Sequence, residues 1–226
     1  FTEYASNEYD VVIGHGFQFG DPALEVGELY PNTKFICIEA DASAENVASY
    51  VMKCEETGYL QGMLAAGMSQ TGNIGFIGPV QGASLVKIMN GYEDGAKEVN
   101  ADIKYQTAWT GSFTDTALAK EAAQAMIDNG ADVIGHCANE SGTGALNAAQ
   151  DAGVLATGDS YDQSSLAENA VLSSAVYHVP ELIKTAVSDI KEGKFKGEVK
   201  ELGMAEGIVE LVYNEKMAEE IPAEVK

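Results

Sequence analysis

Short apolar runs alternate with amphipathic stretches along nearly the whole chain. The runs predict strands at Asp10–Gly14, Lys34–Glu39, Asn73–Ile77, Asp102–Trp109, Ala131–Cys137, Val154–Thr157 and Val171–Tyr177. Helical periodicity fills Glu56–Ser69, Ala83–Val99, Asp115–Asn129, Gly144–Ala152 and Pro180–Glu192. Runs such as NIGFIG and VIGHCA are apolar without alternation, as in strands covered on both faces. Asn129-Gly130 and Ala152-Gly153 put glycine where helices end left-handed, and Asp115 and Pro180 suit helix starts. Strand–helix alternation with such strands predicts parallel sheets wound by helices.

The break at Thr71-Gly72-Asn73, followed by a fresh strand–helix series, divides this pattern into two α/β lobes. The expected boundaries are 1–71 plus 178–202 for lobe I and 72–177 plus 203–226 for lobe II. The chain would then cross near 71–73, 176–180 and 202–206. GMAEGIVELVY reads as one more strand near the end. No short repeat or low-complexity tract separates the halves.

Composition narrows the function. The 226 residues carry 13 Lys+Arg, all of them lysine, against 35 Asp+Glu, a net charge of −22. Such a chain repels phosphate backbones, and without arginine it cannot fork onto phosphates or base edges, so nucleic-acid binding is excluded. No run of about eighteen apolar residues is present to span a membrane. The N-terminal FTEYASNEYD lacks the features of a signal peptide, and Phe1 stands where an initiator Met would, so an upstream segment is expected to be missing. Cys37, Cys54 and Cys137 match no metal spacing. Cys37 and Cys137 read as small buried hydrophobes, with a Cys37–Cys54 bridge as the alternative.

In open parallel sheets, ligands bind beyond the carboxyl ends of the strands. Here those ends bring His15 to Phe17, Trp109 to Asp115, His136 to Asn139 and Asp159 to Asp162, rich in aromatics and neutral or acidic hydrogen-bonding groups. That set suits a flat or sugar-like neutral small molecule. Enzyme and cofactor signatures fail. Gly14-His15-Gly16 is followed by Phe17-Gln18-Phe19 rather than a dinucleotide entry, and neither GxxxxGK[ST] nor GxSxG occurs. Gly142-Thr143-Gly144 reads as an anion-binding helix start or a plain tight turn. His136 and Cys137, adjacent on a strand, point to opposite faces and cannot pair directly. Trp109 either fills the core or faces a ligand, whereas Phe113, in a loop, is the better stacking group. Asp159 and Asp162 either cap turn amides or hold ligand hydroxyls. No cofactor and no metal is expected, and the chain is read as a binding protein rather than an enzyme.

The order of motifs over nearly the whole chain resembles the basic membrane protein family of lipoproteins, substrate-binding components of ABC transporters that include purine nucleoside receptors. The motifs are YDVVIGHGF…DPALEVGELYPNTKF, ENVASYVMKCEETGYLQGMLAAGMSQTGNIGFIG, GSFTD, NGADVI, SYDQS, GMAEGIVEL and IPAEVK. The resemblance implies a two-lobed, type I periplasmic-binding-protein-like fold closing on its ligand like a hinge. It also implies an extracytoplasmic, lipid-anchored location with the anchor outside this chain, and permease and ATPase partners. Phe17, Phe113 and Asp115 match family positions, the first two aromatic. Ser160 stands where nucleoside receptors place a ribose-binding Asp, with Asp159 one step away on the opposite strand face. Tyr177 stands where they carry Lys. These departures favour a nucleobase or another flat heterocycle. The expected ligand is a purine base or nucleoside, with Phe17, Phe113 and Tyr177 as apolar walls, Asn139, Asp159 and Ser160 as polar contacts, and Trp109 alongside. The rivals are a sugar receptor of the same fold, a ligand sensor, and an α/β enzyme acting on a nucleoside.

Overall fold

The structure is a computed structural model and describes residues 1–223 and 225–226. The chain forms two compact units, residues 1–53 with 178–208 and residues 54–177 with 209–226.

The first unit is a parallel four-stranded sheet in the order β1 (Val11–His15), β2 (Lys34–Ile38), β3 (Val47–Met52), β9 (Val199–Leu202). Helices α1 (Thr2–Ser6), α2 (Gly20–Leu29) and α7 (Val179–Lys191) accompany it. After Lys34 every residue of β2 is buried, which is why this run lacks alternation. Phe35, Cys37 and Val47 pack with Ala23 and Val26 of α2 and with Phe1. Asn46, from the family-like ENVASYVMK segment, turns out to be structural. Its side-chain amide donates to the carbonyls of Gly27, Tyr30 and Thr33 at 3.0–3.1 Å, stitching the end of α2 to the start of β2. On α7, Asp189 accepts from Tyr50 of β3 at 2.8 Å and from Lys200 of β9 at 2.6 Å.

The second unit is a six-stranded sheet in the order β10 (Val209–Tyr213), β8 (Val171–Tyr177), β7 (Leu155–Gly158), β6 (Val133–His136), β4 (Asn73–Gly78), β5 (Lys104–Trp109). All pairings are parallel except β10 with β8. Small and aliphatic residues of α5 (Thr116–Asp128) and α6 (Gly142–Ala152) cover Ile77, Ile134 and Ala156. Tyr92 of α4 (Ala83–Val99) packs against Phe76 of β4, with ring centroids 4.6 Å apart.

Helix α3 (Cys54–Met68) belongs to this second unit, which corrects the sequence expectation that residues 1–71 form one lobe. The units divide at 53/54, 177/178 and 208/209, against expected crossings near 71–73, 176–180 and 202–206. The physical reason is a glycine seam. Cβ atoms built on Gly58 and Gly62 of α3 would lie 2.7 and 1.9 Å from the carbonyl oxygens of Ile88 and Tyr92. On α4, Gly91 and Gly95 stand in the same relation to Glu55 and Tyr59. Two helices whose backbones touch along paired small residues pack as one body, much as small-xxx-small pairs do elsewhere. The break at residues 71–73 follows this helix pair's first member and is not a unit boundary. Strands β3 and β9 and helix α2 are further elements that the sequence pattern did not single out.

Candidate ligand-binding site

Strand order reverses at β4 in the second unit, because β5 lies on one side of it and β6 on the other. The chain therefore leaves β4 and β6 toward opposite sides, the topological position at which open parallel α/β sheets bind ligands. Around these carboxyl ends the sequence-selected residues fall into two groups.

The first group is aromatic. Trp109, the last residue of β5, pairs with Gly78, the last residue of β4. Its indole lies across that glycine so closely that a Cβ there would sit 2.3 Å from Cζ3. Trp109 is half-buried. Four residues on, Phe113 is 36% exposed. Its loop is fixed at both ends. Asp115 caps α5 by accepting from the amides of Ala117 and Leu118 at 3.0 and 3.3 Å. Ser141 donates its hydroxyl to the Ser112 carbonyl at 3.0 Å and its amide to the Phe113 carbonyl at 3.0 Å. Ser141 closes the 3-10 turn begun by exposed Asn139, which has a left-handed φ of 49°. The loops after β5 and β6 are thus tied together through Ser141, a residue the sequence did not flag.

The second group is a buried polar cluster at the ends of β6, β7 and β8. Asp159 is 4% exposed, and both its oxygens are taken. The Tyr177 hydroxyl donates to Oδ1 at 2.6 Å and the Ser160 hydroxyl to Oδ2 at 2.7 Å. The expectation that Asp159 and Ser160 point to opposite faces is corrected. β7 stops at Gly158, and Ser160 has a left-handed φ of 70°, so strand alternation no longer applies there. Asp162 instead forms a turn, accepting from the Ser164 amide at 3.0 Å and its hydroxyl at 2.6 Å. Burial raises the Asp159 pKa, with His136 and the two hydroxyls acting the other way.

His136, 1% exposed, joins this cluster through Gln163. Its Nδ1 accepts from the Ala138 amide at 3.2 Å, which leaves Nε2–H to donate to Gln163 Oε1 at 2.9 Å. That geometry selects the neutral Nε2–H tautomer, and burial lowers the His136 pKa in the same sense. The same Gln163 oxygen accepts the Asp159 amide at 2.8 Å, and the Gln163 amide donates to Ser174 Oγ at 3.0 Å. Gln163 is the hub that the sequence reading passed over. The available signal was SYDQS, where a glutamine directly follows the turn. Gly142 packs against the His136 ring, with a Cβ there only 2.1 Å from Nδ1, so the Gly142-Thr143-Gly144 segment serves close packing.

Phe17 belongs to the first unit, on the 3-10 turn after β1, and is 62% exposed. The structure thus brings Asp159, Ser160 and Tyr177 into direct contact and places Trp109 and Phe113 at and after the end of β5, with Asn139 after β6 on the other side of β4. The chemistry on offer is aromatic surface with neutral hydrogen-bonding groups and one internally satisfied carboxylate. Among the described residues no group of three or more His, Cys, Asp or Glu is placed to hold a metal ion. Among them, too, no helix is long and apolar enough to cross a membrane.

Comparison with known proteins identifies the family. Residues 1–225 match the family model described as ABC transporter substrate-binding protein PnrA-like. Basic membrane protein A2 of Borrelia garinii is 34% identical over 93% of this chain and 64% of its own length. The ABC transporter nucleoside-binding protein BmpA of Lactococcus lactis is 33% identical, over 87% and 62%. A purine-binding protein of Brucella abortus is 30% identical, over 93% and 61%. The chain therefore spans less than two thirds of the length of these relatives. A crystal structure of a transcriptional activator of the comK gene from Bacillus halodurans superposes with a TM-score of 0.86 at 25% identity, covering 99% of this chain and 78% of that one. With its parallel sheets wound by helices in a periplasmic-binding-protein-like fold, this chain belongs to the PnrA-like family of ABC transporter substrate-binding proteins.

Proposed function

We propose that the protein is the extracytoplasmic receptor of an ABC transporter for a purine base or nucleoside. The observation that carries the ligand class is the indole of Trp109, packed against Gly78 at the carboxyl end of β5, next to the strand at which sheet order reverses. Stacking on an aromatic face contributes about 1–3 kcal/mol per base and tolerates any base. Phe113 after β5 offers further aromatic surface, and Asn139 an amide that can read a ring edge. The chain holds no arginine and a net charge of −22, which disfavours a phosphorylated or otherwise anionic ligand. The nucleoside- and purine-binding relatives support the same class. In this reading the receptor is lipid-anchored through polypeptide outside this chain and delivers its ligand to a membrane permease driven by an ATPase.

A thermal-shift panel of adenine, guanine, hypoxanthine, their nucleosides, pentoses and hexoses tests the ligand class. A ligand at a hundredfold its Kd adds about 2.7 kcal/mol, which moves Tm by several degrees at this size. Shifts with purines support the reading; shifts with sugars alone overturn it. The likeness to a transcriptional activator favours one second reading, a sensor that passes ligand state to a partner. Tight purine binding by a protein that fails to restore purine uptake to cells lacking their own receptor would select the sensor.

A further inference from the structure

We propose that Tyr92, Thr157 and Ser173 hold one ordered water inside the second unit, a buried solvent site separate from the strand-end residues of the candidate ligand site. This site stands whether or not the ligand is a purine.

The three side chains are fully buried. None of their hydroxyl oxygens has a hydrogen-bond partner among the described residues. A buried hydroxyl without a partner has lost its bonds to water and gained nothing in exchange, which is why such groups are rare in folded proteins. Three of them in one neighbourhood point to a shared partner, and the sheet register makes them neighbours.

Phe76 of β4 pairs with Gly135 of β6, Gly135 with Thr157 of β7, and Thr157 with Ser173 of β8. Register partners on neighbouring strands project to the same face, so these four residues form a row across the sheet. Tyr92 of α4 lies over that row, its ring packed on Phe76. A Cβ built on Gly135 would be 2.8 Å from Thr157 Oγ1 and 2.9 Å from Tyr92 Cε2, so both atoms close on the same point. Gly135 is not among the glycines with a left-handed φ, and what it supplies is room for the tyrosine ring against the sheet. Burial raises the Tyr92 pKa and the nearby Thr157 hydroxyl acts the other way, although the two do not meet in hydrogen-bond geometry. The other face of β8 differs. There Ser174 Oγ accepts the Gln163 amide at 3.0 Å, so the unpartnered hydroxyls are confined to the row beneath Tyr92. Buried waters make about three hydrogen bonds each, and a hydroxyl can rotate to donate or accept. One water among Tyr92, Thr157 and Ser173 therefore satisfies all three.

Two measurements on the 226-residue chain test the proposal. A high-resolution crystal structure should show a water within hydrogen-bond distance of at least two of the three hydroxyl oxygens. Tyr92→Phe, Ser173→Ala and the double variant each delete only oxygen atoms. With the water in place, either single substitution should lower Tm by about 2–4 °C. The double variant should lose less than the sum, because a water common to both side chains couples them. Hydroxyls with no partner at all give the opposite sign, since deleting an unpaired buried oxygen leaves Tm unchanged or raises it. A direct Tyr92–Thr157 bond would lower Tm for Tyr92→Phe and leave Ser173→Ala additive with it. Either of those two patterns, or no water density between the hydroxyls, overturns the proposal. Should a variant fail to fold, judged by circular dichroism, the crystal structure of the wild type decides alone.

Discussion

Gly62 of α3 faces the backbone carbonyl of Tyr92 on α4 at a distance that no side chain fits: an added Cβ would lie 1.9 Å from that oxygen. Gly95 mirrors it against Tyr59, so the two helices meet backbone to backbone. Gly62→Ala should therefore destabilise the second unit by about 1–3 kcal/mol even after alanine's better helix propensity is counted, because the helices must separate. Thermal denaturation of Gly62→Ala checks this, with Gly153→Ala as a contrasting substitution. Gly153 has nothing within 4 Å of a built Cβ but holds a left-handed φ of 69° at the end of α6, so its cost is purely conformational. An unchanged Tm for Gly62→Ala would show that the seam yields readily.

The turn after α3 depends on Asp132. Its carboxylate accepts from Ser69 Oγ at 2.5 Å and from the amides of Gln70 and Thr71 at 2.6 and 2.8 Å. Asp132→Ala leaves three donors to solvent. Because these bonds are partly exposed, the expected loss is about 1–2 kcal/mol, in the lower part of the range for hydrogen bonds to a charged group. Urea denaturation of Asp132→Ala and Asp132→Asn measures it, with the asparagine variant predicted to retain part of the stability. Equal stability of all three proteins would contradict a structural role for this carboxylate.

Acid should weaken the second unit through His136. Its pKa in the fold lies below the ordinary 6.5, chiefly from burial, while Asp159 and Gln163 act in the opposite direction. The unfolded chain thus binds a proton that the folded one refuses. The contribution is fully present above 6.5 and is lost as pH falls below it, with a limiting slope of about 1.4 kcal/mol per pH unit. Asp159, whose pKa burial raises above 3.8, works with the reverse sign: its contribution is present at low pH and lost as pH rises through its folded value. Comparing Tm between pH 7.5 and 5.5 for wild type and His136→Gln reads the histidine together with its coupling to Asp159. The difference should shift in favour of His136→Gln on acidification, and parallel curves would contradict the burial argument.

How much of this was legible in the sequence depends on what each element is made of. β2 and β4 were visible because KFICI and NIGFIG are apolar runs bounded by turn residues. β3 was not, since VASYVM mixes small and polar residues and runs directly into α3. β9 escaped because Val199 to Leu202 is a sheet edge that reads as polar. Helix α3 was assigned to the wrong body because its glycines are a packing surface only in the presence of α4, a relation no single-element pattern carries. At the site, strand-end logic located Trp109, Phe113, Asn139 and Asp159, but the faces near Ser160 required its left-handed turn. Gln163 is a hub only because His136, Asp159 and Ser174 converge on it from two strands and a loop.

The cysteines give a further check on burial. Cys37, Cys54 and Cys137 are buried and form no disulfide, so the alternative of a Cys37–Cys54 bridge is not realised in this structure. Burial pushes the Cys37 thiol up to about 11 and Cys137 well above its usual range. All three should resist a thiol-reactive disulfide reagent at pH 8 in the native protein and react together on unfolding, because the thiolate is the reactive form. Prompt native labelling of Cys37 or Cys137 would contradict the packing described for β2 and β6.

The central claim, capture of a purine, is tested most directly by titrating the protein with adenine and hypoxanthine while following the fluorescence of Trp109, the single tryptophan in the chain. The account predicts a saturable change in emission, matched by a calorimetric isotherm of the same Kd and lost in Trp109→Leu. Purine titrations that leave both emission and heat unchanged, alongside saturable binding of a pentose or hexose, would contradict it.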